Sequence, residues 1–169
     1  MVEFVHFPLH VEIPPEGNPV VAGTDAAAKA RAARMHDLAA TEGLPWKQRT
    51  MSYNSRLAQE LGSWAATKGR GMQFHRAVFE SYFGEGKNIS DAGVLADIAA
   101  GVGLKSDEAK RVLAERSFRS QVDADWAKSF AADVDMVPTF AAGDKKLAGM
   151  QTYADLEALV VAAGARKQQ

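Results

Sequence analysis

The chain has no cysteine in 169 residues. That excludes disulfide cross-links, and it excludes thiol–disulfide exchange by the chain's own side chains. Exchange needs a thiolate nucleophile and a second sulfur to resolve the mixed disulfide. A chain of this length buries about two thirds of its unfolded surface without covalent staples, so one domain is expected. An excess of charge of one sign is also lacking. The net charge is -1, from 20 basic and 21 acidic residues interspersed along the chain. No nucleic-acid or anionic-lipid partner is expected from that balance. Long apolar runs are missing as well. The longest, Leu156 to Ala165, falls short of the roughly 20 residues of a membrane span. The N-terminus carries no basic region followed by an apolar one, so no membrane association and a cytoplasmic location are expected. No Gly-x-Gly-x-x-Gly follows a strand, which leaves a nucleotide site without support.

Strand-forming sequence is scarce. Val2 to Phe7 alternates Val2, Phe4 and His6 against Glu3, Val5 and Phe7, a pattern that predicts a mostly buried strand ended by Pro8. No other strand is expected before residue 136, and Pro14 to Thr24 reads as an irregular loop punctuated by Pro14, Pro15, Gly17 and Pro19.

What is abundant is helix. Asp25 to Glu42 is alanine-rich and closed by Gly43, with Pro45 beyond. Asn54 is the expected N-cap of a helix whose Leu57, Leu61, Trp64 and Ala65 share one face. Phe74, Val78 and Tyr82 make one stripe of the next helix, and Phe79 and Phe83 another. Two stripes predict a central helix covered on two sides. Ser90 is the expected cap for Val94, Leu95, Ile98 and Val102, and Ser106 for Ala109, Val112 and Leu113; Phe118, Val122, Trp126 and Phe130 then step by four. After this helical block, Pro138 to Ala142 and Lys146 to Ala148 flank a Gly143-Asp144 turn of the kind hairpins accept. Thr152 and Asp155 form a capping pair for a last helix, Tyr153 to Ala163.

Candidate chemistry is sparse. His6 and His10 stand four apart, but Pro8 between them implies extended chain and no nearby carboxylate completes a ligand set, so no metal site is expected. His36 and His75 are lone helical histidines, read as solvated or hydrogen-bonded bystanders. Asp123 and Asp125 flank the helix around Trp126; two apart on a helix they do not face each other, and they read as solvated surface. Ser52, Ser55 and Ser63 lack a glycine elbow and a base in register.

Motifs spread through nearly the whole chain add a more specific signal. They are Phe7-Pro8-Leu9, Glu12-Ile13-Pro14-Pro15-Glu16-Gly17, Asn54-Ser55-Arg56-Leu57-Ala58, Phe74-His75-Arg76-Ala77-Val78-Phe79 with Tyr82-Phe83 and Asn88-Ile89, Val122-Asp123-Ala124-Asp125-Trp126, and Val137-Pro138-Thr139-Phe140. In this order they resemble the DsbA-like thioredoxin-fold proteins, most of all the FrnE-type branch of disulfide oxidoreductases and isomerases. The resemblance implies an α/β fold, thioredoxin-like, in a single domain over 1–169. Residues 1–13 and 134–165 would form the thioredoxin-like part, and 25–132 a large helical insertion. It also implies a cis Val137–Pro138 bond in a loop that presents its backbone to substrate by strand addition, so that Val137, Pro138 and Thr139 would bind an extended peptide or a small thiol. No cofactor is implied.

Members of that family begin with a strand running into Cys-x-x-Cys at a helix N-terminus, where amides and dipole lower the thiol pKa. That βα unit is missing here, and with it any catalytic residue. The expected activity is that of a family member inactive in thiol–disulfide exchange; the alternatives are a non-catalytic peptide- or thiol-binding module, or a relative of the glutathione-dependent isomerases of the same fold, whose activating serine lies in the missing segment. The lost strand would be the central one. Direct pairing of Val2 to Phe7 with the strand after Pro138, or a homodimer covering the exposed edges, is therefore expected.

Overall fold

The structure, a computed structural model, describes residues 2–20, 23 and 25–166. They fall into two units: one runs from Pro8 to Ala124, and the other joins the residues up to Phe7 to those from Asp125 onward.

The first unit is helical. A two-residue ladder opens it, β1 (Asn18–Pro19) antiparallel to β2 (Met51–Ser52), where the sequence pattern predicts only loop. Between them α1 (Ala26–Thr41) starts at Asp25, whose Oδ1 accepts from the Ala28 amide at 2.7 Å, and stops at Gly43 with φ 65°. Alanine content makes this helix; burial does not, because Ala39 is its one buried residue.

The core forms where apolar residues recur on one face. From α2 (Arg56–Thr67), α3 (Gly71–Phe79), α4 (Ala92–Gly101) and α5 (Ser106–Glu115) it collects Leu61, Trp64, Phe74, Leu95, Ile98 and Leu113. The N-cap of α2 is Ser55, which makes no side-chain cap bond, one residue beyond the expected Asn54; Asn54 supports the helix start from outside, its Oδ1 accepting from the Arg56 amide at 2.8 Å. Its amide group also donates to the Ile13 and Val11 carbonyls at 2.9 and 3.3 Å, which pins the preceding loop. Ser90 is not a cap. Asp91 accepts from the Val94 amide at 2.9 Å, while the buried Ser90 hydroxyl contacts Asn88 and the Pro15 carbonyl. Ser106 is the first residue of α5, which has no side-chain cap.

The expected two-sided burial around Phe79 also fails. Phe74 is 1% exposed and Phe79 49%. Phe79 is the last residue of α3 and, five residues from Phe74, stands on a different face of that helix, one left half in solvent; beyond it the chain switches to a π-helical turn at Glu80–Glu85, whose wider winding shifts only the residues that follow. Phe83 is thereby stacked on Trp46, ring centroids 5.3 Å apart, and Gly86 ends the turn in the left-handed region at φ 76°. Gly84 packs so closely against Pro45 that an added Cβ would lie 2.8 Å from the proline ring.

One buried charge ties this unit together. Glu60 on α2 is 1% exposed. It accepts from Arg56 Nε at 2.6 Å and from Arg116 Nη2 and Nε at 2.6 and 2.7 Å, Arg116 being the left-handed residue that ends α5. Arg56 also donates to Asp123 and to the Arg119 carbonyl at the start of α6 (Arg119–Ala131). Burial pushes the Glu60 carboxyl up, and the two guanidiniums more than offset it, holding it below the ordinary carboxylate value.

The second unit holds the C-terminal part of α6, the hairpin β3 (Thr139–Ala142) and β4 (Lys145–Ala148), and α7 (Tyr153–Ala162), which packs on both strands. The hairpin register pairs Thr139 with Ala148 and Ala142 with Lys145 around Gly143 at φ 61°, the turn the sequence predicts. The Thr152–Asp155 capping box is present with both reciprocal bonds.

Val2 to Phe7, however, is not a strand, and β3 pairs with β4 alone. Pairing of Val2 to Phe7 with the strand after Pro138 is thus absent from the chain. Alternation makes a segment ready for a ladder, but the ladder needs a second strand in register. Instead the segment is fastened to α6 by ions: Lys128 Nζ donates to Glu3 at 2.6 Å, and His6 meets Asp125. Among the described residues no helix is long and apolar enough to cross a membrane.

Candidate functional site

The loop from Asp133 to Thr139 is built by the end of one helix and the start of a hairpin. Asp133, at φ 48°, and Val134 return their amides to Phe130 and Ser129 at 3.0 Å each, which closes α6. The Val137–Pro138 peptide bond is cis. Thr139 Oγ1 donates to the Met136 carbonyl at 2.7 Å and so spans the two central residues. The Pro138 carbonyl accepts from the Gly149 amide at 2.8 Å, locking the loop to the far end of β4.

The loop leaves the backbone of Val137 open. Met136 and Val137 are 48% and 42% exposed, and neither the Val137 amide nor its carbonyl is hydrogen-bonded among the described residues. A donor and an acceptor on one exposed residue are the groups an incoming strand pairs with. Val137, Pro138 and Thr139 are thus contiguous, with Thr139 half-buried and the other two exposed. The loop carries two carboxylates, Asp133 and Asp135, and the Thr139 hydroxyl, which is bonded to the Met136 carbonyl; the chain has no cysteine. No cluster of His, Asp and Glu capable of holding a metal occurs among the described residues.

A second constellation escapes any local reading of the sequence. Asp125, taken from its spacing for solvated surface, is partly buried and meets His6: its Oδ2 lies 2.7 Å from His6 Nδ1 and 3.3 Å from the His6 amide. With Nδ1–H donated to the carboxylate, Nε2 is the basic nitrogen and the ring is held in one orientation. That is half of an acid–base device, without a nucleophile to activate. Two residues 119 positions apart carry no local signal of the pairing. His10 pairs with Glu12 at 3.2 Å on the surface, and His75 packs against Phe79.

Comparison with known proteins bears on the family and the fold. The family model described as a DSBA-like thioredoxin domain matches residues 1–161. "Uncharacterized protein YwbO" of Bacillus subtilis is 31% identical over 94 residues, which cover 55% of this chain and 47% of that protein. The match therefore spans about half the length of that relative. Among solved structures, "a putative protein disulfide isomerase" from Nitrosomonas europaea superimposes with a TM-score of 0.64 over 86% of this chain and 76% of that one, at 12% identity. At that identity the likeness is one of fold.

Proposed function

The chain belongs to the DSBA-like thioredoxin domain family, and from that premise we propose that it binds extended peptides or small thiols at Val137, Pro138 and Thr139 and does not itself carry out thiol–disulfide exchange. The observation that carries the reading is the complete lack of cysteine in a chain of this family. Exchange forms a mixed disulfide through sulfur and resolves it through sulfur; hydroxyl, imidazole and carboxylate groups supply neither step. Binding needs only what the loop offers, a donor and an acceptor on Val137 beside an exposed apolar face.

Two measurements test it. In insulin reduction and oxidative refolding, the purified chain is expected to match buffer, and turnover above buffer refutes the inactivity. In a titration with extended peptides and with glutathione, the amides of Val137 and Thr139 are expected to shift; if both stay still while the protein is folded, the binding site is wrong. A homodimer is the assembly this reading carries, because Val2, Phe130, Met150 and Tyr153 of one unit are 60% to 80% exposed. Light scattering that shows only monomer at micromolar concentration removes it.

A further inference from the structure

We propose that the cleft between α3, its π-helical extension and α4 binds a small organic cation: a primary ammonium group on a compact apolar body. The cleft is a cavity of about 490 Å³, within the roughly 300 to 1,000 Å³ typical of ligand sites. Its floor is apolar, made by Ala77, Val94, Ile98 and Val102. One wall is the π-helical turn Glu80–Glu85, a distortion frequent at functional sites.

The polar groups around the cleft decide the ligand's charge. Two cations line it, and both are neutralised by neighbours: Arg76 Nε lies 2.7 Å from Glu80 and Lys87 Nζ 2.7 Å from Glu85. The remaining carboxylate, Asp97, makes no ion pair among the described residues. The lining therefore has one uncompensated negative charge and no spare positive one. An anion would meet net repulsion, and an ammonium meets a free partner.

Ser81 independently points to an occupant. It is 7% exposed, lines the cavity, and its hydroxyl has no hydrogen-bond partner among the described residues. A helical serine usually returns its hydroxyl to the carbonyl a turn earlier, and buried polar side chains are ordinarily satisfied. Among the described residues every side-chain oxygen or nitrogen fully shut off from solvent has a partner, so the Ser81 hydroxyl is not fully shut off, and Ser81 is one of the residues that line the cavity. Its oxygen and the Asp97 carboxylate are two acceptors for the three donors of an ammonium, and the apolar floor takes the body attached to it.

The test is a titration of the full chain with hexylammonium chloride, followed by amide shifts, with sodium hexanoate as the anion of matched length. Saturable shifts at Ser81, Asp97 and Val102 are expected with the amine and none with hexanoate. Asp97→Asn, on an exposed position, is expected to weaken the amine about tenfold. Gly101→Leu should abolish binding by filling the cleft, since an added Cβ there meets nothing within 4 Å. Absence of saturable shifts with the amine, equal shifts with hexanoate, or unchanged affinity in the folded Asp97→Asn variant overturns the proposal. Should Gly101→Leu fail to fold, the Asp97→Asn comparison decides alone.

Discussion

Replacing Glu60 by Gln keeps the side chain's shape and removes its charge from the centre of the helical unit. The carboxylate is 1% exposed and accepts three short bonds from two guanidiniums. Removing one member of a buried ion pair costs about 3 to 5 kcal/mol, because the partner charge is left buried and unmatched. The lower end applies here. Arg116 has a side-chain exposure of 39% and can turn to water, and Arg56 keeps Asp123 and the Arg119 carbonyl. We expect Glu60→Gln to lose about 3 kcal/mol, which for a chain of this size lowers Tm by about 6 to 12 °C.

The sign with pH follows from the lowered carboxyl. A group held below its ordinary value of 4.5 stabilises the fold above that value, and the contribution is lost as pH falls through the folded-state pKa. The gap between wild type and Glu60→Gln should therefore be constant from neutral pH down to about 5 and should close in more acid solution. Urea unfolding followed by helical circular dichroism over that pH range measures it. A variant as stable as wild type at pH 7 refutes the reasoning, as does a gap that stays open in acid where both proteins remain folded.

Three further outcomes rest on single contacts. Thr152→Ala removes the capping box at α7, so hydrogen exchange at the Tyr153 to Asp155 amides should speed up about fivefold, the factor matching a cap worth about 1 kcal/mol. Asn54→Ala deletes the bonds to the Val11 and Ile13 carbonyls and to the Arg56 amide; limited proteolysis should then cut first between residues 8 and 17, where wild type resists. Phe74→Ala empties the best-buried aromatic position at a cost of about 3 to 5 kcal/mol, read as a lower urea midpoint with little change in slope.

How far the chain can be read from its residues depends on whether a feature is local. Leu57, Leu61, Trp64 and Ala65 mark their own face, and Thr152 with Asp155 marks its own cap, because partners three or four residues apart share one helix surface. The Gly143 turn is equally self-contained. Phe79 shows where that logic ends. Periodicity puts Phe79 on a second face of α3, but only tertiary packing decides whether that face is covered, and it stands half in solvent; the π-helical turn that follows breaks the 3.6-residue count for the stripe beyond it. Ser90 lost the cap to Asp91 by a single position, since the Pro15 carbonyl, 75 residues away, claims its hydroxyl.

Pairings distant in sequence leave no periodic trace. The bonds from Arg116 to Glu60, from His6 to Asp125 and from Lys128 to Glu3 join residues that are individually unremarkable. The segment from Val2 to Phe7 is the sharpest instance. Its alternation is a true statement about propensity, and a strand is a relation between two chains of backbone; no neighbour in the fold supplies the second. What holds it in place is the charge on Glu3 and His6, residues that the alternation assigns only to faces. The candidate loop divides in the same way. The resemblance proposes Val137, Pro138 and Thr139 as a binding surface, whereas the Val137 amide and carbonyl that would serve it are left without partners among the described residues while Thr139 and Gly149 bond to Met136 and Pro138. Such a vacancy is the result of which bonds the fold satisfies elsewhere, and no reading of residues one at a time can locate it.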